Sequence, residues 1–375
     1  MAISLIGIFL PIYIYNISFD YSFFHINPVI NGFYWVLSYF LIRSITVWVG
    51  ILIFGKLLFS KLHLQMSILI SFVVLIILIL SWHAAESNLF IIWFSAILHG
   101  LDTTFYWIPF HIFFMKKAGG NSTHFGQKTG MRFFLTRLFS SIAPAVGGLI
   151  IMNFGFNMLF LSSILLLIVA ALPITLVVHE WRHREHNPIR VLKDYLLDAR
   201  KYKLTLTYFG EGVEAVIYAV FWPLLLFFVL ENFVKIGFIN SVSFLLSSFS
   251  VLLIGKALDK HGTKKIHKIG TILNALFYLP RIFFSKAWLF YSLDVLDRFI
   301  SGTYSLPIMS LSYEKGKKLG GSDYMLFREY ALHLGIIVTV LVIMAVFMVT
   351  DSWRWVFFLA MIGSSLGYLI ELDKN

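Results

Sequence analysis

Residues 72–80 read Phe72-Val-Val-Leu-Ile-Ile-Leu-Ile-Leu80, a run with no polar side chain and no strand-like alternation. Leu159 to Leu172 does not alternate either, and apolar runs of roughly 20 residues recur along the chain, long enough to cross a hydrocarbon core about 30 Å thick. Lipid offers the backbone no hydrogen-bond partner, so each run must satisfy its own N–H and C=O groups as a helix. The sequence therefore predicts a polytopic all-α membrane protein rather than a barrel.

The composition excludes a soluble fold. Of the 375 residues, 59% are hydrophobic and 13% are charged, whereas soluble domains carry about 25% charged residues. The chain contains no cysteine, which excludes disulfides and thiolate metal sites. Met1 opens directly into an apolar stretch without a basic flank, so no cleavable signal is expected.

Twelve apolar segments are predicted to be transmembrane helices. The first would be only about 22 Å long at 1.5 Å per residue, so it is expected to be shortened relative to a full span. The segments are Met1–Tyr15, Val29–Phe54, Met66–Trp82, Leu89–Met115, Met131–Met152, Asn157–Val178, Leu204–Leu230, Phe238–Ile254, Ile269–Phe284, Ala287–Tyr313, Tyr324–Val349 and Trp355–Ile370.

The formal net charge of +11 has a topological explanation. If the N-terminus is cytoplasmic, most lysines and arginines fall in cytoplasmic connections, which is the positive-inside asymmetry. We therefore expect a cytoplasmic-membrane protein with both termini in the cytoplasm and no nucleic-acid partner. The cytoplasmic set is Lys56, Lys61, Lys116, Lys117, Lys128, the stretch from Arg182 to Lys203, Lys256, Lys260, Lys264, Lys265, Lys268, Lys315, Lys317 and Lys318. The opposite side holds Lys235, Arg281, Lys286 and Arg354.

The longest connection, residues 179–203, is predicted to be a cytoplasmic linker between two six-helix bundles, residues 1–178 and 204–375. The bundles echo each other at a spacing near two hundred residues: Tyr106-x-x-Pro109 corresponds to Tyr304-x-x-Pro307. Parallel repeats of this kind place a binding site near the bilayer midplane, between the halves.

The stretch Gly255-Lys-Ala-Leu-Asp259-Lys260-His-Gly262-Thr263-Lys264-Lys265 closely resembles the loop signature of the major facilitator superfamily, G-x-x-x-D-R/K-x-G-R/K-R/K, with Thr263 as an extra residue. It follows predicted helix 8, where the family carries its second copy. In the first copy, Phe59 stands in place of the acid. The resemblance implies two pseudo-symmetric bundles of six helices and a transporter that works by alternating access.

The same resemblance implies a one-sided cytoplasmic latch. Asp259 is expected to face the positive N-terminal end of helix 5, near Gly130 and Arg132. The alternative is that Asp259 only offsets nearby lysines in a solvated loop. The expected latch residues are Gly255, Asp259, Lys260, Gly262, Arg132 and Arg328.

Predicted helix 5 is similar to the antiporter signature of drug–proton exporters, G-x8-G-x3-G-P-x-x-G-G. Phe139 and Ala143 replace two of its glycines, and Ala96 stands where those exporters carry an arginine in helix 4. The resemblance slightly favours export by antiport, and ordinary close packing of small residues is the alternative. The matching residues are Gly130, Pro144, Gly147 and Gly148.

Ionisable residues inside the predicted spans indicate a polar cavity, because a charge at the centre of a membrane helix costs roughly 2.5–3.5 kcal/mol. Many of them share one face of helices 4, 7 or 10, which line the central cavity in the family. Structural salt bridges are the alternative, and Arg298 is expected to pair with Asp294. The predicted cavity residues are Arg43, His99, Asp102, Tyr106, Arg137, Glu211, Glu214, Tyr218, Asp294, Asp297 and Arg298.

A proton-coupled carrier needs a buried acid whose pKa desolvation raises toward the working pH. Glu214 and Asp102 are the first candidates for that role, and Glu211 and Asp297 follow. Arg43 and Arg137 are expected to hold an anionic group or to neutralise these acids.

His179-Glu180-Trp-Arg-His183 matches H-E-x-x-H, in which two histidines bind zinc and the glutamate acts as a base. The motif lies in a basic stretch, and no third ligand is identifiable, although His186 is nearby. A membrane metalloprotease is therefore only a remote alternative.

Taken together, the residues and the resemblance predict a secondary transporter, not an enzyme, that moves a small organic solute. Proton-coupled export is the leading hypothesis, with symport or uniport as the alternative within the class. Protons and the lipid bilayer are the expected partners, the protein is expected to be a monomer, and no cofactor or metal is expected.

Overall fold

The computed structural model describes residues 2–23, 27–60, 64–118, 125–175, 187–283, 287–319 and 321–372, and almost all of these residues are helical. A π-helical turn (Leu192–Leu196) and a 3-10 turn (Ala199–Lys201) lie in the connection between the halves of the sequence. The helices are α1 (Ala2–Ile6), α2 (Leu10–Ser18), α3 (Pro28–Ser60), α4 (Leu64–Ala84), α5 (Ile91–Ala118), α6 (Phe125–Ser140), α7 (Ala143–Thr175), α8 (Pro188–Val191), α9 (Tyr202–Leu230), α10 (Phe233–His261), α11 (Thr263–Leu276), α12 (Leu279–Phe283), α13 (Ala287–Lys318), α14 (Ser322–Phe347), α15 (Val356–Leu366) and α16 (Leu369–Leu372).

Each predicted transmembrane segment is helical in its described part. Short breaks divide the first segment into α1 and α2, the fifth between α6 and α7, the ninth into α11 and α12, and the last into α15 and α16. Among the described residues, six stretches are long and apolar enough to cross a membrane by length and composition. One of these, Phe125–Ile174, holds two predicted segments, and Gly155, with φ of 77°, interrupts its helical path. The prediction of an all-α membrane fold is confirmed.

Some predicted boundaries are wrong. Helix 5 begins at Phe125 rather than at Met131, and helix 9 begins at Thr263 rather than at Ile269. The added turns are polar or basic, so hydropathy does not register them, although the backbone continues as helix. The signature predicted as a loop is therefore mostly helical: α10 continues to His261, and Gly262 turns the chain with φ of 87°, a conformation that glycine adopts without strain.

Small residues bring α7 and α10 into backbone contact. A Cβ atom on Gly237 would overlap with the carbonyl oxygen of Pro144, and one on Gly148 would overlap with that of Phe233. Without a hydrophobic effect between helices in lipid, close van der Waals packing of this kind is what holds them together. The α7–α10 contact therefore depends on the absence of side chains.

The other predicted packing residues also make close contacts. A Cβ atom on Gly130 of α6 would lie 2.9 Å from the carbonyl oxygen of Val251 on α10, and one on Gly147 would lie 2.6 Å from that of Leu5 on α1. Phe139, which replaces a glycine of the antiporter signature, is 65% exposed. The bulky substitution therefore stands on the outer surface of the helix, where it does not interfere with packing.

The bundle has two ends that differ in charge. The last turns of α5, α10 and α13 contain basic residues. The end of the bundle that contains these turns is called the basic end. There Gly316 of α13 packs against Met115 of α5. At the opposite end, the rings of Phe33 (α3) and Phe221 (α9) stack with centroids 5.3 Å apart. Helices from the first and second halves of the sequence therefore touch at both ends.

The described part of the connection between the halves packs at the basic end. Pro188 lies against Gly55 of α3, where a Cβ atom would come within 2.7 Å of its ring. Tyr195 donates a hydrogen bond to the carbonyl oxygen of Leu319, and its ring lies 5.5 Å from that of Phe327 on α14. The connection therefore touches a helix of each half at this end.

A polar contact between Asp198 and Arg200 lies at the C-terminal end of the linker, just before α9. The Asp198 side chain accepts hydrogen bonds from the guanidinium and the backbone N–H of Arg200, and these bonds lower the pKa of Asp198 below its usual value. Asp198 thereby caps the 3-10 turn that leads into α9.

We expect Gly237→Ala to destabilise the protein by about 1–3 kcal/mol, because the new methyl group would force the backbones of α7 and α10 apart. Gly7→Ala is the matched control, since a Cβ atom there would only reach ordinary contact distance, 3.4 Å from the carbonyl oxygen of Ile3. Thermal unfolding in detergent measures both. Equal midpoints for the two variants would contradict the close contact.

Candidate substrate cavity

A cavity of about 390 Å³ lies in the middle of the helices, between α1–α5 on one side and α9, α10 and α13 on the other. Its polar lining comes from six helices, α1, α3, α5, α9, α10 and α13, and its remaining wall is aromatic and aliphatic. The polar lining residues are Ser4, Arg43, His99, Tyr218, Asn240 and Arg298, and the rings are those of Phe40, Trp82, Trp222 and Phe244. The cavity therefore brings four of the predicted cavity residues together.

Arg43 reaches the cavity because α3 and α5 approach closely. A Cβ atom on Gly100 of α5 would lie 2.6 Å from the carbonyl oxygen of Arg43. Arg43 donates to the hydroxyl of Thr103 at 3.2 Å, and the hydroxyl of Tyr39 is 2.7 Å from Nδ1 of His99. The first side of the cavity is therefore an ordered polar cluster rather than a single charge.

Asp102 lies behind this cluster and is 7% exposed. It shares a helix face with His99, as predicted, but it does not line the cavity. Its Oδ1 atom is buried and has no hydrogen-bond partner among the residues that the structure describes. Its carboxylate interacts electrostatically with Arg43. Asp102 is thus placed to balance Arg43 from behind.

Arg298 lines the other side of the cavity. Its guanidinium carbon lies 3.9 Å from the ring centre of Phe244, a cation–π contact. Its Nε is 3.8 Å from Oδ2 of Asp294, so the predicted pair is an ion pair without a direct hydrogen bond. Asp294 accepts a hydrogen bond of 2.7 Å from the indole of Trp222. Again the acid stands behind and the arginine lines the cavity.

The sequence analysis placed Arg281 in a connection on the side of the membrane opposite the cytoplasm. In the structure it does not lie in an exposed connection. It is fully buried, and its Nη2 lies 2.9 Å from Oδ1 of Asp297, which is also buried. The rings of Trp222 and Tyr278 flank its guanidinium, with centres 4.3 and 4.8 Å away. Asp297 is therefore held in a structural ion pair rather than in the cavity lining.

Glu214 stands in a different environment. Its Oε1 accepts hydrogen bonds from the amide of Asn274 and the hydroxyl of Tyr278, both at 2.8 Å. Asn274 also donates to Ser364 at 2.8 Å. Glu214 lies outside the cavity lining, but its hydrogen-bond partners named here are neutral, unlike those of Asp297.

Glu211 and Arg328 form a second ionic cluster. Arg328 contacts the carboxylate of Glu211 and, at 2.6 Å, that of Glu329. His333 stands 3.9 Å from the other oxygen of Glu329. Arg328, predicted to belong to the latch, therefore joins α9 to α14.

A second cavity, of about 350 Å³, lies nearer the basic end. It contains the remaining two predicted cavity residues, Tyr106 and Arg137, and Phe244 lines both cavities. Its lining residues are Tyr106, Trp107, Phe110, Arg132, Phe133, Thr136, Arg137 and Phe244. Phe244 is therefore a shared wall between the two spaces.

Asp259 meets the N-terminus of α6, but one turn earlier than predicted. It accepts hydrogen bonds from the backbone N–H groups of Gly126 at 3.1 Å and Gln127 at 3.0 Å. Gly130 and Arg132 are not its partners because the helix starts at Phe125. Arg132 instead donates to the hydroxyl of Tyr313 at 2.6 Å.

The other predicted latch residues have different surroundings. Lys260 is exposed, and Gly262 forms the turn after α10. Gly255 packs on α6, where a Cβ atom would lie 2.9 Å from the carbonyl oxygen of Gly126. The contact at this end therefore joins a carboxylate and a glycine of α10 to the first turn of α6.

Sequence analysis missed Arg281, Trp222, Phe244 and Asn274. Arg281 could have been found from Asp297. If Arg298 pairs with Asp294, Asp297 is a second buried acid that requires a basic partner. The aromatic and amide residues gave no such signal. His179, Glu180 and His183 lie outside the described residues. Within those residues, no group of three or more His, Asp or Glu side chains is arranged to hold a metal ion.

Comparison with known proteins identifies the fold. No family model and no curated protein matches the sequence. The E. coli fucose:proton symporter FucP matches with a TM-score of 0.62 and 13% identity, over 100% of this chain and 98% of that one. The human organic anion transporter MFSD10 (TETRAN) matches with a TM-score of 0.66 and 11% identity, over 99% of this chain and 94% of that one. FucP in the outward conformation matches with a TM-score of 0.60 and 13% identity, over 100% of this chain and 98% of that one.

Replacing one member of the Arg281–Asp297 pair should destabilise the folded protein strongly. We expect Asp297→Asn and Arg281→Gln each to destabilise the protein by about 3–5 kcal/mol, because each leaves a buried charge without its partner. The double variant Arg281→Met/Asp297→Leu should recover most of the loss. Thermal unfolding of the purified proteins measures this, with Asp20→Asn at an exposed position as the control. Additive losses in the double variant would contradict a structural pair.

Proposed function

We propose that this chain, which has the fold of major facilitator superfamily transporters, is a secondary active transporter for a small organic solute. The observation that carries the proposal is the central cavity, whose polar residues come from α1, α3 and α5 on one side and from α9, α10 and α13 on the other. Residues 1–178 and 204–375 are the two rocking halves in this proposal, joined by the linker 179–203. A site shared by two bundles opens to either side when they tilt.

The basic end is the cytoplasmic end in this proposal. The lysines that close α5 and α13 support it, since cytoplasmic connections carry the excess of basic residues. Both termini are then cytoplasmic, and the protein acts as a monomer in the cytoplasmic membrane.

Export coupled to proton entry is the proposed direction. The small residues of α6 and α7, which are similar to an antiporter signature, support it. One proton entering per exported solute would draw on roughly 2.3 kcal/mol per 100 mV of membrane potential.

Glu214 is the proposed proton carrier. Asp297 and Glu211 each contact an arginine, so protonating either would break an ion pair in the low-dielectric interior. Glu214 is hydrogen-bonded by Asn274 and Tyr278, which are neutral, so it can exchange a proton without that loss. Asp102 is the second candidate, because it is buried behind the cavity next to Arg43.

Transport is tested in proteoliposomes with an imposed pH gradient and a panel of drugs, sugars and amino acids. We expect at least one solute to accumulate with the wild-type protein. Glu214→Gln should abolish gradient-driven accumulation and retain solute exchange, whereas Glu231→Gln, at an exposed position, should behave as wild type. Unchanged accumulation by Glu214→Gln would rule out its role as proton carrier. Accumulation in the direction of the proton flow would rule out antiport.

The contact of Asp259 with α6 is the proposed cytoplasmic latch. A carboxylate at a helix N-terminus contributes about 0.3–1 kcal/mol, so Asp259→Asn should shift the population of the closed state by up to roughly fivefold. The chain has no cysteine, so spin labels can be attached at Lys117→Cys and Lys264→Cys to measure the distance distribution across the basic end. Asp194→Asn, in the linker, is the control. Identical distributions for Asp259→Asn and wild type would exclude the latch.

A further inference from the structure

We propose that the central cavity binds an organic monoanion with a flat apolar body, such as an aromatic carboxylate or sulfonate. Its acidic group would lie between Arg43 and Arg298. This inference rests on the proposed function, since it takes the cavity to be the transport site, and it names the class of solute.

The first argument is the sign of the charge in the lining. The charged side chains that line the cavity are Arg43 and Arg298, and the lining residues include no carboxylate. Asp102 and Asp294, which balance the two arginines, stand behind them rather than in the cavity. A solute in the cavity therefore meets positive groups first, and an anion gains most from them because the interior is poorly screened.

The second argument is that both arginines keep donors available. A guanidinium has five N–H donors, and Arg43 uses one of them on Thr103. The Nε atoms of both arginines are buried, so the donors left for a solute are those on the terminal Nη atoms. Arg298 lies 3.8 Å from Asp294, too far for a direct hydrogen bond. Planar guanidinium donors match the two or three oxygens of a carboxylate or sulfonate.

The third argument concerns the rest of the wall. The rings of Phe40, Trp82, Trp222 and Phe244 face the cavity together with the aliphatic side chains of α1 and α2. A volume of about 390 Å³ lies within the range of small-molecule sites and accommodates a bicyclic ring with one acidic group. Aromatic walls favour a flat apolar body over a sugar, whose hydroxyl groups would need many polar partners.

An anion would also help the two halves to close. Arg43 belongs to α3 and Arg298 to α13, so the two positive groups come from opposite sides of the cavity. A bound anion that contacts both guanidinium groups stabilises the conformation in which the halves meet around it.

The test uses three probes that share one ring system: 2-naphthoate, 2-naphthamide and 2-naphthylmethylammonium. Calorimetric titration of the full chain in nanodiscs should show 2-naphthoate binding at least about tenfold more tightly than the other two. Arg43→Gln and Arg298→Gln should each weaken 2-naphthoate by about tenfold or more and leave 2-naphthamide unchanged. Asp102→Asn should tighten 2-naphthoate, because it removes a carboxylate that competes for Arg43. Arg190→Gln, whose side chain is 78% exposed, is the matched control.

The proposal is overturned if 2-naphthamide or 2-naphthylmethylammonium binds the wild-type protein as tightly as 2-naphthoate, a comparison that needs no variant. Should the glutamine variants fail to fold, Arg43→Lys and Arg298→Lys keep the charge and should retain part of the preference for 2-naphthoate over the other two probes. If the double variant Arg43→Ala/Arg298→Ala kept that preference in full, the proposal would also be overturned.

Uptake of radiolabelled probes into proteoliposomes separates this inference from the transporter proposal. Binding of 2-naphthoate without transport of any of the three probes or of the solute panel supports the anion site and contradicts the proposed function. Transport of 2-naphthamide or 2-naphthylmethylammonium without binding or transport of 2-naphthoate contradicts the anion site and leaves the transporter proposal standing.

Discussion

An arginine in the interior of a membrane protein must find its compensation there, and the arrangement of the cavity follows from this requirement. Arg281 meets it with Asp297 and with the flanking rings of Trp222 and Tyr278. Trp222 in turn donates its indole N–H to Asp294. Three spans are thereby joined in one polar cluster beside the cavity. This cluster fixes the position of Asp294 and so the direction in which its partner, the guanidinium of Arg298, can point. The shape of the cavity therefore depends partly on Arg281, Asp294 and Asp297, which do not line it.

The contact between α10 and the helices α6 and α7 depends on close backbone packing rather than on compensation of charge. Gly130, Gly148, Gly237 and Gly255 let backbones meet directly, and rings such as those of Phe134 and Phe249 pack beside these contacts. Such contacts are short-ranged, so they hold two helices firmly at the right distance and are released by a small separation. The proposed rocking, in which the two bundles part and meet again, would use this contact surface. The bulky Phe139 is tolerated on the same helix because its side chain is 65% exposed.

The sequence was sufficient to predict the helices and the class of fold, because apolar length and the loop signature are local properties. It also predicted the pairing of Asp294 with Arg298, which follows from helical spacing. It did not separate cavity-lining residues from those behind, because that distinction depends on how each helix is rotated against its neighbours. For the same reason Arg281 was assigned to the opposite side, and the start of α6 was placed too late because its first turn is polar.

The ion pairs are distributed in a way that bears on how the halves could move. Arg281 and Asp297 lie in α12 and α13, and Arg328 joins α9 to α14, so these charges are balanced within the second half. Between the halves, the contacts named above include no ion pair. Asp259 accepts hydrogen bonds from the backbone N–H groups at the start of α6, Arg132 donates to the hydroxyl of Tyr313, and rings stack or glycines pack elsewhere. Separating the halves would therefore break none of the ion pairs named here. Because breaking a buried pair costs about 3–5 kcal/mol and a helix-end contact about 0.3–1 kcal/mol, the proposed rocking would break the weaker kind of contact and leave the stronger kind intact.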